Sequence, residues 1–438
     1  MLDIEEKKFE DETGLAPLLI DAIAGNRRAS SIKCGPSTRR LAPLAFALCV
    51  FIAVILSILV AVTNGKKNMS NTIVFLFRDA GEWFGLFPCF QLLQNTPNTQ
   101  VLGVIIDGGT APSSAQNLPG VRLLSSYGVN MQGSNRKRNA TLDSLQYFTN
   151  AMPKSGLLIS GMVSRAQVDI SKSLVGWSVA GYDDSFSLWN EKSWPALFVK
   201  KGVLTQLWVT AEEIVSEVEK SQSKRLAPSS FSTFAVGSPT FKSWESESSH
   251  LSPYDIQRIR LYMFGTSVNK PGVLFFGGYG SGYYDAVQIF AEAAAGLKNE
   301  LRFAFLPHPG PFNTTVEAML FSKANVSVHI LDRSHYSTAL YAKASGVTLS
   351  QDSTCGPQSV SIGVRSMYVM SEGAAVDDIF TKIGLIPVAR NKSAATFLMK
   401  KLIDNGPFDP KKALQNAGIP NNSAQNIIHR VRALAQKG

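Results

Sequence analysis

Between Leu41 and Val62 the chain carries 22 consecutive uncharged, strongly apolar residues, with Arg39 and Arg40 directly before them. A helix of that length crosses a hydrocarbon layer of about 30 Å, and the run offers no polar face that a soluble helix would turn to water. One span so near the N-terminus divides the chain into a short tail (1–40), an anchor (41–63) and a large body. Arg27, Arg28, Lys33, Arg39 and Arg40 lie close before the run, and only Lys66 and Lys67 lie close after it. Positive charge is retained in the cytosol, so the body is expected in the lumen of the endoplasmic reticulum or Golgi, as in a single-pass type II protein. A cleaved signal peptide is the competing reading, but its apolar stretch is normally ~7–15 residues and ends at an A-x-A-like site, which does not follow Val62.

The body is too long for one core, so two domains are expected. The net charge of +10 (43 Lys and Arg against 33 Asp and Glu) is scattered, with no aromatic-rich basic stripe and no zinc spacing, which argues against nucleic acid. Anionic membrane surfaces or phosphate-bearing ligands suit that charge better. Cys89 and Cys355 are the only cysteines of the body; they make no metal site and allow at most one disulfide, and both are expected to be free. Of the N-x-[ST] sequons, Asn139 lies in a polar stretch and is the expected glycosylation site.

From Asn71 short apolar, β-branched runs alternate with helical stretches. Strands are expected at 72–77, 101–106, 156–160, 177–180 and 206–209, then again at 272–276, 302–306, 326–331, 347–350 and 364–369. Runs apolar on both faces and separated by helices specify parallel sheets covered on both sides. The Ser-rich stretch after 235–241 reads as a polar connection between two such units. The expected fold class is therefore α/β, with two Rossmann-like domains, at 64–242 and 243–395, facing a cleft, and helices at 396–438.

In such sheets ligands meet the loops that leave strand carboxyl ends. Gly277 to Gly282 (GGYGSG) follows one strand and opens a helix; Gly278 and Gly280 would let a phosphate or ribose approach the backbone, and a plain turn would use glycine equally. Leu306 to Pro311 (LPHPGP) holds His308 in a proline-stiffened loop, where it can donate to a phosphate or a sugar hydroxyl or serve structure alone. Ser350 to Gln358 contains Asp352, Ser353 and Thr354, residue types that cap a helix and whose hydroxyls suit a diphosphate. Glu372, after the last strand, is a candidate ribose contact.

This order of strands, Gly-rich loop, His-Pro loop and Asp-Ser-Thr loop resembles the donor-binding half of GT-B-fold glycosyltransferases and the related non-hydrolysing UDP-sugar 2-epimerases. The resemblance implies that His308, Ser353 and Thr354 hold a nucleotide diphosphate. In the first half, Arg78 to Gly85 (RDAGEWFG) is similar to Gly-Glu loops of membrane-associated GT-B enzymes, which implies Glu82 as catalytic base and Asp79 as second candidate. Glu82 could equally complement a helix N-terminus. Asp183 and Asp184, with Arg165, would orient an acceptor or form an ion pair between domains.

Rival chemistries lack their residues. No metal-holding Asp-x-Asp follows an apolar strand, Gly280-Ser281-Gly282 misses the spacing of a nucleophile elbow, and there is no Walker loop. The reading is a membrane-anchored glycosyltransferase needing neither metal nor cofactor, moving sugar from a nucleotide-sugar donor to a glycan, lipid or protein acceptor. The alternatives are a UDP-sugar 2-epimerase and a GT-B-like or periplasmic-binding-like domain that binds without turnover.

Overall fold

The computed structural model describes residues 71–97, 99–106, 109, 111, 115, 117–124, 148–223, 231–265, 270–309, 313–406 and 408–435. The tail, the apolar run and Asn139 lie outside them. Among the described residues no helix is long and apolar enough to cross a membrane.

The first lobe is built on β1 (Asn71–Phe77), β2 (Thr99–Ile106), β3 (Val121–Leu124), β4 (Leu157–Gly161), β5 (Ser178–Tyr182), β6 (Gln206–Val209) and β7 (Ser232–Ala235). All pair parallel in the order β3-β2-β1-β4-β5-β6-β7. Helices α1 (Ala80–Gln94), α2 (Arg165–Ser173), α3 (Trp194–Lys200) and α4 (Glu212–Ser223) connect them. Such crossovers are what parallel pairing requires.

The second lobe repeats the plan with β8 (Gly272–Phe276), β9 (Arg302–Leu306), β10 (His329–Ile330), β11 (Val347–Ser350), β12 (Arg365–Val369) and β13 (Val388–Ala389), in the parallel order β10-β9-β8-β11-β12-β13. Its helices are α5 (Pro239–Ser249), α6 (Pro253–Phe264), α7 (Tyr283–Leu297), α8 (Thr315–Lys323), α9 (Thr338–Ala344), α10 (Cys355–Ser361), α11 (Ile379–Lys382) and α12 (Lys392–Asp404). Two more, α13 (Pro410–Asn416) and α14 (Ser423–Ala435), follow, and α14 returns to the first lobe, where Ala424 packs beside Cys89 of α1 and Arg430 stacks on Phe234.

The Ser-rich stretch expected to be an open connection is helix α5. Pro239 sits in its first turn, and Phe241, Trp244 and Ser248 form a buried stripe at helical spacing while Glu and Ser residues face water. The strand expected over 326–331 shrinks to two paired residues at the sheet edge.

The carboxyl ends of the two sheets meet. Ser187, just past β5, forms an antiparallel bridge with Asp378, between β12 and α11. Leu188 N–H donates to Asp377 O at 2.7 Å and Ile379 N–H to Phe186 O at 3.1 Å. Phe186 stacks on Phe241 and meets Phe380 edge-on at 5.4 Å. One hydrophobic cluster runs from Val74 and Leu158 in the first sheet to Tyr368, Met370 and Phe380 in the second lobe. The lobes thus share a core.

Candidate functional site

In each sheet the strand order reverses direction beside the first strand, next to β1/β4 and next to β8/β11. Crevices open at the carboxyl ends of such switch points because the flanking loops diverge.

At the first switch point, β1 ends in Arg78-Asp79. Asp79 caps α1: its Oδ1 accepts from Glu82 N–H at 2.9 Å, and Glu82 Oε2 accepts from Arg78 N–H at 2.8 Å and Asp79 N–H at 3.4 Å, a reciprocal capping box. Gln167 Nε2 donates to both Glu82 oxygens at 2.8 and 2.9 Å. The Glu82 side chain fills the space that Gly161 leaves on β4, where an added Cβ would fall 1.9 Å from Glu82 Cδ. Glu82 is 0% exposed. Its carboxylate is enclosed by its own helix cap, not presented to a substrate, and burial aided by the Asp79 charge pushes its pKa up to about 8.

Three half-buried carboxylates remain at this end of the sheet. Asp184 lies against the Gly81 backbone; a Cβ there would meet Asp184 Oδ2 at 2.1 Å. Burial, then the charges of Asp79, Glu82 and Asp183, hold Asp184 well above the ordinary carboxylate range. Asp79 is raised by burial as well. Asp183, also raised by burial, accepts from Ser185 N–H at 3.1 Å and shapes the turn after β5. Arg165 does not join them: it is exposed on α2 and pairs with Asp169 at 3.1 Å.

In the second lobe four loops converge. Gly280 and Gly282 adopt positive φ (+99° and +76°), and a Cβ at Gly282 would fall 2.6 Å from Ser371 Oγ, so glycine lets this loop press against Ser371. Gln351 Nε2 donates to Ser281 O at 2.8 Å, tying the Gly-rich loop, with Gly278 and Gly280, to the loop after β11. The Tyr279 ring stands edge-on to His308 with centroids 4.8 Å apart. His308 is half-buried; burial and the nearby Arg333 charge lower its pKa to about 4, so its imidazole is neutral at pH 7. Ser353 Oγ accepts from Cys355 N–H at 3.3 Å, and Thr354 occupies the N-cap position of α10 without a side-chain bond. Glu372 is exposed on a turn whose carbonyls at Ser371 and Ala374 accept from Arg390 Nη1 at 3.1 and 2.5 Å.

Sequence reading missed Arg333. It follows β10, and its Nε donates to Pro307 O at 2.5 Å while Nη1 donates to Thr338 Oγ1 at 3.1 Å. A lone arginine in Leu331-Asp332-Arg333-Ser334 carries no motif, and only the loop's return toward Pro307 reveals its place. Cys89 is buried with its thiol pushed up to about 12, and Cys355 is half-buried beside Arg333; both are free. No group of three or more metal-ligating His, Cys, Asp or Glu side chains converges among the described residues.

No protein-family model matches this chain, and no curated protein matches its sequence. Solved structures do match its shape. UDP-GlcNAc 2-epimerase from Neisseria meningitidis, bound to UDP-GlcNAc, superposes with a TM-score of 0.61 at 12% identity, over 83% of this chain and 100% of that one. The fold is that of the UDP-sugar 2-epimerases. The S. aureus MnaA-UDP structure gives 0.58 at 12% identity (84% and 97% covered), and UDP-GlcNAc 2-epimerase from Methanocaldococcus jannaschii 0.55 at 9% (83% and 99%). The resemblance to the GT-B and UDP-sugar 2-epimerase superfamily thus holds at the level of fold.

Proposed function

We propose that this chain is a GT-B-like glycosyltransferase that binds a nucleotide sugar on the second lobe and deprotonates an acceptor hydroxyl from the first. The observation that carries the reading is that the two sheets join near their carboxyl ends, at Ser187 and Asp378, and that each sheet's carboxyl end carries its own kind of loop residue. One set holds glycine backbone, a neutral histidine and hydroxyls (Gly278, Gly280, His308, Ser353, Thr354); the other holds half-buried carboxylates with raised pKa (Asp79, Asp184). Burial that raises a carboxylate's proton affinity makes it a better proton acceptor during turnover.

In this reaction the acceptor oxygen bonds to the sugar's anomeric carbon as the bond from that carbon to the diphosphate breaks. The hydroxyl proton goes to Asp184, with Asp79 beside it, and the diphosphate leaves with the bonding electrons. Asp184 takes the base role in place of Glu82, which is sealed in its capping box. Glu372, exposed after β12, is the ribose candidate in this reading; Arg165, paired with Asp169 on α2, and Asp183, held by the turn after β5, keep no separate acceptor role. The apolar run at 41–62 sets the body on the lumenal face of an endoplasmic reticulum or Golgi membrane in this reading.

The second reading is a UDP-sugar 2-epimerase, favoured by a fold match that spans 97–100% of those enzymes. Incubating the purified chain with labelled nucleotide sugars separates the two. Transfer or slow hydrolysis releases nucleoside diphosphate, whereas epimerisation keeps the sugar on it. Asp184→Asn should lower turnover by about 10²–10⁴-fold with nucleotide affinity retained. Full activity in that variant would remove Asp184 from the chemistry, and binding without any turnover would leave a ligand-binding domain.

A further inference from the structure

Arg333 is a half-buried cation with no carboxylate partner among the described residues. Its nearest acidic neighbour in sequence, Asp332, is exposed and accepts instead from Ser334 N–H at 2.8 Å and pairs with His335. Among the described residues no ion pair reaches the guanidinium, and Nη2 makes no hydrogen bond; its contacts are Pro307 O and Thr338 Oγ1. Arginine does not lose its proton in proteins, so this burial leaves positive charge in a poorly solvated place with no carboxylate among the described residues to balance it.

The other half-buried arginines of the second lobe have visible structural duties. Arg365 donates to Gly406 O and lies 5.0 Å from the Phe408 ring centroid, and Arg390 fastens the 371–374 turn. Arg333 instead stands among the nucleotide-site loops. It holds Pro307, one residue before His308, and its charge is felt both by His308 and by the Cys355 thiol that follows Ser353 and Thr354. The neutral His308 brings no charge of its own to that place.

We infer that Arg333 supplies the positive charge that holds the phosphate groups of the nucleotide, with His308 beside it as a hydrogen-bonding partner. The inference rests on the nucleotide-sugar reading of the cleft and adds to it the residue on which the diphosphate sits. Two guanidinium nitrogens are engaged by protein oxygens and fix the plane of the group. The remaining edge can offer donors to phosphate oxygens, the geometry in which arginine binds them best.

The test is calorimetric titration of the full-length chain with UDP, GDP, ADP and CDP, and with the matching nucleoside of whichever binds. Arg333→Gln should weaken the diphosphate by about 10- to 100-fold and leave the nucleoside unchanged, and Arg333→Lys should fall between. In the unaltered chain, inorganic pyrophosphate should compete with the diphosphate, a result that does not depend on any variant folding. Equal weakening of diphosphate and nucleoside in Arg333→Gln, unchanged diphosphate affinity, or no competition by pyrophosphate would each overturn the inference while leaving the cleft's ligand in place. Failure of the unaltered chain to bind any of the four diphosphates would instead remove the underlying reading, and this inference with it.

Discussion

Single residues show how far local pattern reaches. Glu82 read either as a catalytic base or as complementing a helix N-terminus, and the structure holds it in a capping box with Asp79, which the sequence reading took as the second catalytic candidate. What the sequence does not show is that Gly161 and Gln167, from a neighbouring strand and helix, close over Glu82 and turn a cleft candidate into a buried group. Arg333 is the converse case, a residue with no motif that the topology carries to the loop holding His308. The Glu82 burial has a consequence in pH. Its folded pKa of about 8 lies above the ordinary 4.5, so the folded state holds a proton that the unfolded state has lost. This group's contribution is complete below pH 4.5 and is lost as pH rises toward 8. Glu82→Gln cannot ionise, so its urea-unfolding free energy relative to the unaltered protein should improve between pH 5 and pH 8. Parallel profiles for the two proteins would show that Glu82 titrates normally.

Among the elements, the central strands were the most legible. The runs at 272–276, 302–306 and 347–350 match the structure residue for residue, because strands buried on both faces read as continuous apolar stretches. The edge strands β3, β7 and β13 gave no such signal, since one side of each has no neighbour and their residues are largely half-buried or exposed. Helix α5 was hidden by its serines, although Phe241, Trp244 and Ser248 recur at helical spacing. Trp244 is 7% exposed and meets Phe276 of β8 edge-on at 6.5 Å. Trp244→Ala should therefore cost about 3–5 kcal/mol, read as a lowered urea midpoint with unchanged slope. A loss below about 1 kcal/mol would mean that α5 is not packed on the sheet.

For the whole molecule, the division into two parallel sheets followed from the alternation of strands and helices, but their joining did not. The bridge between Ser187 and Asp378 and the Phe186, Phe241 and Phe380 cluster pair segments nearly two hundred residues apart or between unlike loops, which no local pattern encodes. That joining brings the carboxylates after β1 and β5 to the same end of the molecule as the loops after β8, β9 and β11. What the loops at that end bind decides whether this chain handles a nucleotide sugar. Titrating the purified chain with a panel of nucleotide sugars, the matching nucleoside diphosphates and free sugars tests it most directly. Saturable binding of one nucleotide sugar and its diphosphate, with none of the free sugar, is the predicted result; heat from free sugars alone, or from none of the panel, would contradict it.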